Sequence, residues 1–202
     1  MTSEAYTFIE KPGQGTGPVF VLLHGTGGDE HQFMGLGHQL LPQAHLVGVR
    51  GDVSEYGALR YFRRTGEGVY DMADLARATD KLDTFLRELK ERLPGRPIYA
   101  LGYSNGANIL ASVLFKAPER VDRAVLMHPL IPFTPEDQPG LAGRAVLITA
   151  GRADPICPAP ETQKLGDWFG AQGAKTEIVW HAGGHEVRPE ELQAVQRFVT
   201  AS

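Results

Sequence analysis

Ile98-Tyr99-Ala100-Leu101-Gly102-Tyr103-Ser104-Asn105-Gly106-Ala107-Asn108-Ile109-Leu110-Ala111-Ser112-Val113-Leu114-Phe115 decides the fold. Its first four residues are apolar and β-prone, and residues 107–115 read as a buried helix. Between them stands a G-x-S-x-G pentapeptide, the pattern of a serine held on a sharp strand-to-helix turn. Glycine neighbours suit a turn of that tightness. The hydroxyl then stands near the positive end of the following helix, where developing negative charge is favoured. The bland alternative is a glycine-flanked turn that merely starts a helix, and the rest of the chain has to decide between the two.

Working outward, short apolar strands alternate with helical segments, which predicts βαβ units and a mostly parallel sheet with helices on both faces. Val19-Phe20-Val21-Leu22-Leu23 is continuously apolar, as a strand covered on both faces should be. A helix is expected over 30–41 and a strand over His45–Val49. Leu75, Leu82, Phe85, Leu86, Leu89 and Leu93 share one face at helical spacing, and Pro94-Gly95 stops that helix. Further strands are expected at Ala124–Met127, Ala145–Thr149 and Thr176–Trp180, with helices around 159–172 and from Pro189 to about Val199. Residues 50–70 and 129–140 read as loops, the first long enough to be a binding loop. No repeat, linker or low-complexity stretch interrupts residues 1–202, so one domain is expected.

Composition narrows the function classes. The 202 residues are 42% hydrophobic and 22% charged with a net charge of −4, a soluble globular profile without the basic footprint of a nucleic-acid binder. The start Met1–Tyr6 lacks the basic and apolar regions of a signal peptide, and no apolar run nears the ~20 residues of a membrane span. Cytoplasmic location is expected. One cysteine, Cys157, excludes an intrachain disulfide framework; it reads as a buried structural thiol.

A serine hydroxyl needs a base to remove its proton, and the base needs a third group to orient it. On a strand–turn–helix serine the partners follow in the order Ser, Asp, His, at the carboxyl ends of strands. Asp154 alone follows directly on a strong strand, through Ala150-Gly151-Arg152-Ala153. Asp122, Asp137 and Asp167 fall before a strand, in the proline-rich loop and inside a helix. After the last strand, His181 and His185 both qualify as the base. His185, beyond Gly183-Gly184, has the slack to reach back and is preferred, with His181 structural. His24 and His128 end strands but read as packing histidines, and no pair among the remaining histidines has metal-ligand spacing with a nearby carboxylate, so no metal site is expected. The oxyanion of acyl transfer needs N–H donors: the Asn105 amide and one from His24-Gly25-Thr26-Gly27-Gly28, Thr26 first and Gly27 second. Tyr61, Phe62 and Ile131 are expected to touch substrate from the two loops.

His24-Gly25-Thr26-Gly27-Gly28-Asp29, Gly102–Ala107, Gly151-Arg152-Ala153-Asp154-Pro155 and Gly183-Gly184-His185 together resemble the phospholipase/carboxylesterase group of α/β-hydrolases, which includes acyl-protein thioesterases and small bacterial carboxylesterases. Arg50-Gly51-Asp52, Tyr61-Phe62-Arg63-Arg64 and Glu67–Asp71 are similar to the bacterial carboxylesterase branch. The thioesterases tend to carry leucine at the Thr26 position and Gln-Gly-Gly where this chain has Asn105-Gly106-Ala107. Dienelactone hydrolases, a related family, use cysteine where Ser104 stands. The resemblance implies a single-domain α/β-hydrolase with minimal or no lid, acting on small to medium carboxylic esters through an acyl-enzyme on Ser104. It implies no cofactor and no metal, a small-molecule ester as partner, no nucleic acid or membrane partner, and is compatible with a homodimer. The alternatives are an acyl thioesterase or lysophospholipase on the same residues, a lyase or perhydrolase, and a non-catalytic binding protein of the same fold.

Overall fold

A computed structural model describes residues 5–202, so the start of the stretch read for a leader lies outside them. The chain opens with β1 (Phe8–Lys11), an edge strand for which the sequence offered no alternating signal. Next come β2 (Val19–Leu23), α1 (Met34–Leu40) and β3 (His45–Val49). Four short strands follow, β4 (Val53–Glu55), β5 (Ala58–Arg60), β6 (Arg64–Gly66) and β7 (Val69–Tyr70). They lead into α2 (Met72–Arg92), β8 (Ile98–Tyr103), α3 (Asn105–Lys116), β9 (Arg123–Met127) and β10 (Ala145–Gly151). The chain ends with α4 (Ala159–Ala171), β11 (Lys175–His181) and α5 (Pro189–Thr200).

Seven strands form one sheet in the order β1-β3-β2-β8-β9-β10-β11. Only β1 runs antiparallel to its neighbour. Side chains alternate across a strand, and the two cores follow that period. Val19, Val21 and Leu23 of β2 join Ile98, Ala100, Ala124 and Leu126 beneath α2, α3 and α4. Phe20, Leu22, Leu101, Val125 and Met127 point the other way, under α1 and α5. This is the expected α/β-hydrolase architecture, with the carboxyl ends of β2, β8, β9, β10 and β11 at one rim.

Two sequence readings are corrected here. Residues 30–33 form turns, and the first helix is only Met34–Leu40, because Gly35 and Gly37 weaken a short helix. Residues 50–70 are two β-hairpins rather than an irregular loop, β4 with β5 and β6 with β7. The first turns at Tyr56-Gly57, both at positive φ, the geometry of a tight hairpin turn. Three-residue strands carry too little alternation to be read as such. Among the described residues no helix is long and apolar enough to cross a membrane.

Candidate active site

Ser104 sits between β8 and α3 with φ +52° and ψ −113°, a backbone region that costs a non-glycine residue roughly 1–3 kcal/mol. The strained residue is thus the serine itself. The flanking glycines contribute clearance: a Cβ on Gly102 would collide with the Gly106 carbonyl, and one on Gly106 with the carbonyls of Leu23 and His24. Backbone cannot yield as a side chain can, so α3 reaches β2 only without those carbons.

Asp154 lies beyond β10 and His185 beyond β11. The two loops are stitched by the Arg152 amide donating to the His181 carbonyl and the Ala153 amide donating to the Gly183 carbonyl, each at 2.9 Å. A side chain on Gly151 would strike the Gly183 and Gly184 carbonyls. That fit brings His185 Nδ1 to 2.7 Å from Asp154 Oδ2, with His185 Nε2 2.9 Å from Ser104 Oγ. The Tyr103 hydroxyl fixes the loop by donating to the His185 carbonyl at 2.7 Å, and burial pushes that phenol up to about 12. His181 is turned away: its Nδ1 accepts from the Gly183 amide and its Nε2 lies 3.1 Å from Glu191.

Asp154 is buried, which by itself favours the neutral acid. The Cys157 amide and the His128 and His185 rings outweigh burial and hold the carboxyl below its usual value. Its Oδ1 accepts from the amides of Ile156 and Cys157, at 2.8 and 2.9 Å. An ionised Asp154 accepts the Nδ1–H of His185, which leaves the Nε2 lone pair facing the serine. The three groups can therefore pass a proton from Ser104 to His185.

At the other side of Ser104, the Thr26 amide has no acceptor among the described residues, whereas Gly27 donates its amide to Leu59 at 3.0 Å. Arg60 Nη1 donates to Thr26 Oγ1 at 2.6 Å and so fixes the turn. Asn105 Oδ1 accepts from the Tyr61 amide at 2.7 Å, tying the hairpins to the start of α3. Thr26 and Asn105 line the same cleft as Ser104.

A cleft of ≈ 240 Å³ opens onto Ser104, with Tyr70, Leu130, Ile156, Arg60, Arg64 and Glu67 among its walls. Three expected substrate contacts are corrected. Tyr61 and Phe62 are both 0% exposed, and neither is among the residues lining the cleft. The Tyr61 hydroxyl donates to the Val49 carbonyl and accepts from the His24 amide, bolting the hairpin to β3. The Phe62 ring meets Tyr70 edge-on at 4.9 Å. Ile131 lines a separate cavity with Phe133 and Trp168. Tyr61 and Phe62 lie between β5 and β6, packed inward, and Arg60 and Arg64, the end of one strand and the start of the next, line the cleft instead. Cys157 lines the cleft wall, with burial pushing its thiol well above the usual range.

Sequence reasoning missed what stands behind Asp154. His128 and Glu191 are both 0% exposed, and the His128 ring reaches Asp154 on one side and Glu191 on the other. Glu191 sits in α5, 42 residues beyond Thr149 and 63 beyond His128, and nothing in its helical context marks it. His128, His181 and Glu191 place ligand-type atoms within 4.8 Å of one another, yet the Glu191 oxygens already accept from Thr149, His128 and the Arg188 amide. Hydrogen bonds account for that cluster. His24 is likewise internal: its Nε2 accepts from the Gly51 amide, which leaves Nδ1–H to donate to the Gly25 carbonyl.

Asp154 and Glu191 share a consequence for stability. Hydrogen bonds overcome burial and hold both carboxyls below their usual values. The unfolded chain therefore binds more protons than the native state once pH falls into the ordinary carboxylate range of about 4. Stability contributed by these groups is present above that range and is lost as pH drops through it. Urea unfolding midpoints measured from pH 7 down to 3 should fall steeply below about pH 4.5, and less so in Glu191→Gln.

A model of the alpha/beta hydrolase fold matches residues 18–147. MhqD of Bacillus subtilis (strain 168), named only as a candidate hydrolase, is 42% identical over 183 residues, 89% of this chain and 91% of that one. The crystal structure of Atu2452 from Agrobacterium tumefaciens str. C58, described as of unknown function, is 53% identical with a TM-score of 0.92, covering 100% of this chain and 98% of its own. The Bacillus cereus carboxylesterase structure is 36% identical with a TM-score of 0.91, covering 98% and 95%.

Proposed function

The chain belongs to the α/β-hydrolase family, and from that premise we propose that it is a serine carboxylesterase acting on small to medium carboxylic esters. The observation that carries this reading is the unbroken hydrogen-bonded path from Ser104 Oγ through His185 to Asp154, at 2.9 and 2.7 Å, opening onto a cleft beside two amides. Similarity to the Bacillus cereus carboxylesterase supports it.

His185 takes the hydroxyl proton as Ser104 Oγ attacks the ester carbonyl, and Asp154 stabilises the imidazolium that forms. The Thr26 and Asn105 amides receive the negative oxygen of the tetrahedral adduct. The imidazolium then protonates the departing alkoxide, leaving an acyl-enzyme on Ser104. A water, deprotonated by His185, repeats the attack and releases the acid.

The cleft favours small acyl groups over the long chains of a thioesterase or lysophospholipase. Its ≈ 240 Å³ sits below the ~300–1,000 Å³ range of drug-sized ligand pockets. Across p-nitrophenyl esters, kcat/KM should peak between acetate and hexanoate and drop roughly tenfold or more by laurate, since an acyl chain that finds no room gains no binding. Labelling Ser104 with a fluorophosphonate tests the mechanism directly. Absence of an adduct on Ser104, or full labelling in Ser104→Ala, would sink the reading.

A further inference from the structure

We propose that His128, clamped between Asp154 and Glu191, is a buried imidazolium that positions Asp154 and opposes a second positive charge on the neighbouring His185; this rests on the esterase reading of Ser104. The geometry leaves little choice of protonation. His128 Nδ1 lies 2.9 Å from Asp154 Oδ2 and Nε2 lies 2.8 Å from Glu191 Oε1. Ionised carboxylates only accept hydrogen bonds, so both ring nitrogens must donate. Glu191 carries the acceptor load of a carboxylate: the Thr149 hydroxyl donates to Oε1 at 2.7 Å and the Arg188 amide to Oε2 at 2.7 Å. Two buried carboxylates sharing a neutral ring would leave two uncompensated charges in the interior, which is strongly unfavourable. One imidazolium reduces that to a single negative charge. Burial opposes a charged His128, but the bonds to Glu191 and Asp154 prevail and raise its proton affinity.

A second observation concerns the backbone. His128 has φ +52°, and among the described residues it shares a positive φ with only Ser104 and Tyr56 among the non-glycines. Tyr56 turns an exposed hairpin. The other two hold the reactive serine and this ring, and strained backbone of this kind persists where surrounding structure enforces it. The groups facing His128 come from five elements. They are Asp154 after β10, Glu191 on α5, and His185 after β11 with its ring centroid 5.2 Å away. His181 on β11 and Tyr103 on β8 are 5.4 and 5.8 Å away. The Cys157 thiol donates to the His128 carbonyl.

Asp154 Oδ2 therefore accepts from two rings at once, 2.7 Å from His185 and 2.9 Å from His128. The fixed cation draws on the same oxygen that would otherwise hold a proton on His185, and repels a second imidazolium beside it. His185 is the ring that accepts the Ser104 proton. When it does take that proton, the cluster of four groups becomes neutral overall.

Glu191→Gln tests this with little change of shape. The amide oxygen can accept from the Arg188 N–H while the NH₂ group donates to His128 Nε2 and Thr149, so His128 becomes neutral and still donates to Asp154. The acid limb of kcat/KM should move to higher pH by about one unit, the size expected from losing a charge at this range. In the wild type, histidine-ring ¹⁵N NMR at pH 7 should show both His128 nitrogens protonated. An unmoved acid limb in folded Glu191→Gln, or one unprotonated His128 nitrogen, overturns the proposal. The NMR measurement needs neither turnover nor a variant. Failure of the esterase reading appears separately, as absent fluorophosphonate labelling of Ser104.

Discussion

Ser104→Ala and His185→Ala should each lower ester kcat/KM by roughly three orders of magnitude or more, equivalent to about 4 kcal/mol of lost transition-state stabilisation. In the first, no nucleophile remains at the tip of the turn. In the second, the hydroxyl survives but has no acceptor, because His181 is committed to the Gly183 amide. The double variant should be little worse than either alone, since the groups act as a unit. Both substitutions truncate side chains at the cleft rather than in the core, so thermal unfolding should stay close to the parent. Steady-state kinetics with an activated ester checks the first claim and calorimetry the second. Full activity in either variant would remove Ser104 or His185 from the mechanism.

Asp154→Asn should cost about as much, by a different route. Oδ2 accepts from His185 and His128, and Oδ1 from the amides of Ile156 and Cys157. Every partner is a donor, so an asparagine NH₂ faces donors whichever way it turns. Set toward the rings, it favours the His185 tautomer with hydrogen on Nε2, and that nitrogen can no longer accept the serine proton. Losing the correct tautomer is worth roughly 10⁴ in kcat where it has been measured. Set toward the amides, it leaves buried N–H groups unsatisfied, at roughly 1–3 kcal/mol. We expect kcat down by roughly 10³–10⁴ together with a lowered melting temperature. A loss of activity below tenfold would show that Asp154 does not orient His185.

How much was legible beforehand follows from the range of each signal. The parallel strands were readable because burial on both faces leaves continuous apolar runs such as Val19–Leu23. Ser104, Asp154 and His185 were legible as candidates because each lies within a few residues of a strand end. Tyr61 and Phe62 were misread because aromatic character in a presumed loop suggested a binding wall; the hairpins around them are too short to show a period. Arg60, which holds Thr26, and the His128–Glu191 pair were illegible. Their partners are set by the meeting of elements distant in sequence, and a glutamate on an amphipathic helix looks like solvent-facing charge until the helix is docked.

The positive φ of Ser104 sets folding against chemistry at one residue. Glycine would occupy that turn without strain and serine does not, so the folded state is worse off for carrying the proposed nucleophile. Selection for heat resistance alone, blind to turnover, would therefore drift toward a sturdier and inert molecule at position 104. Any search for hardened variants of this enzyme has to screen for hydrolysis in the same round.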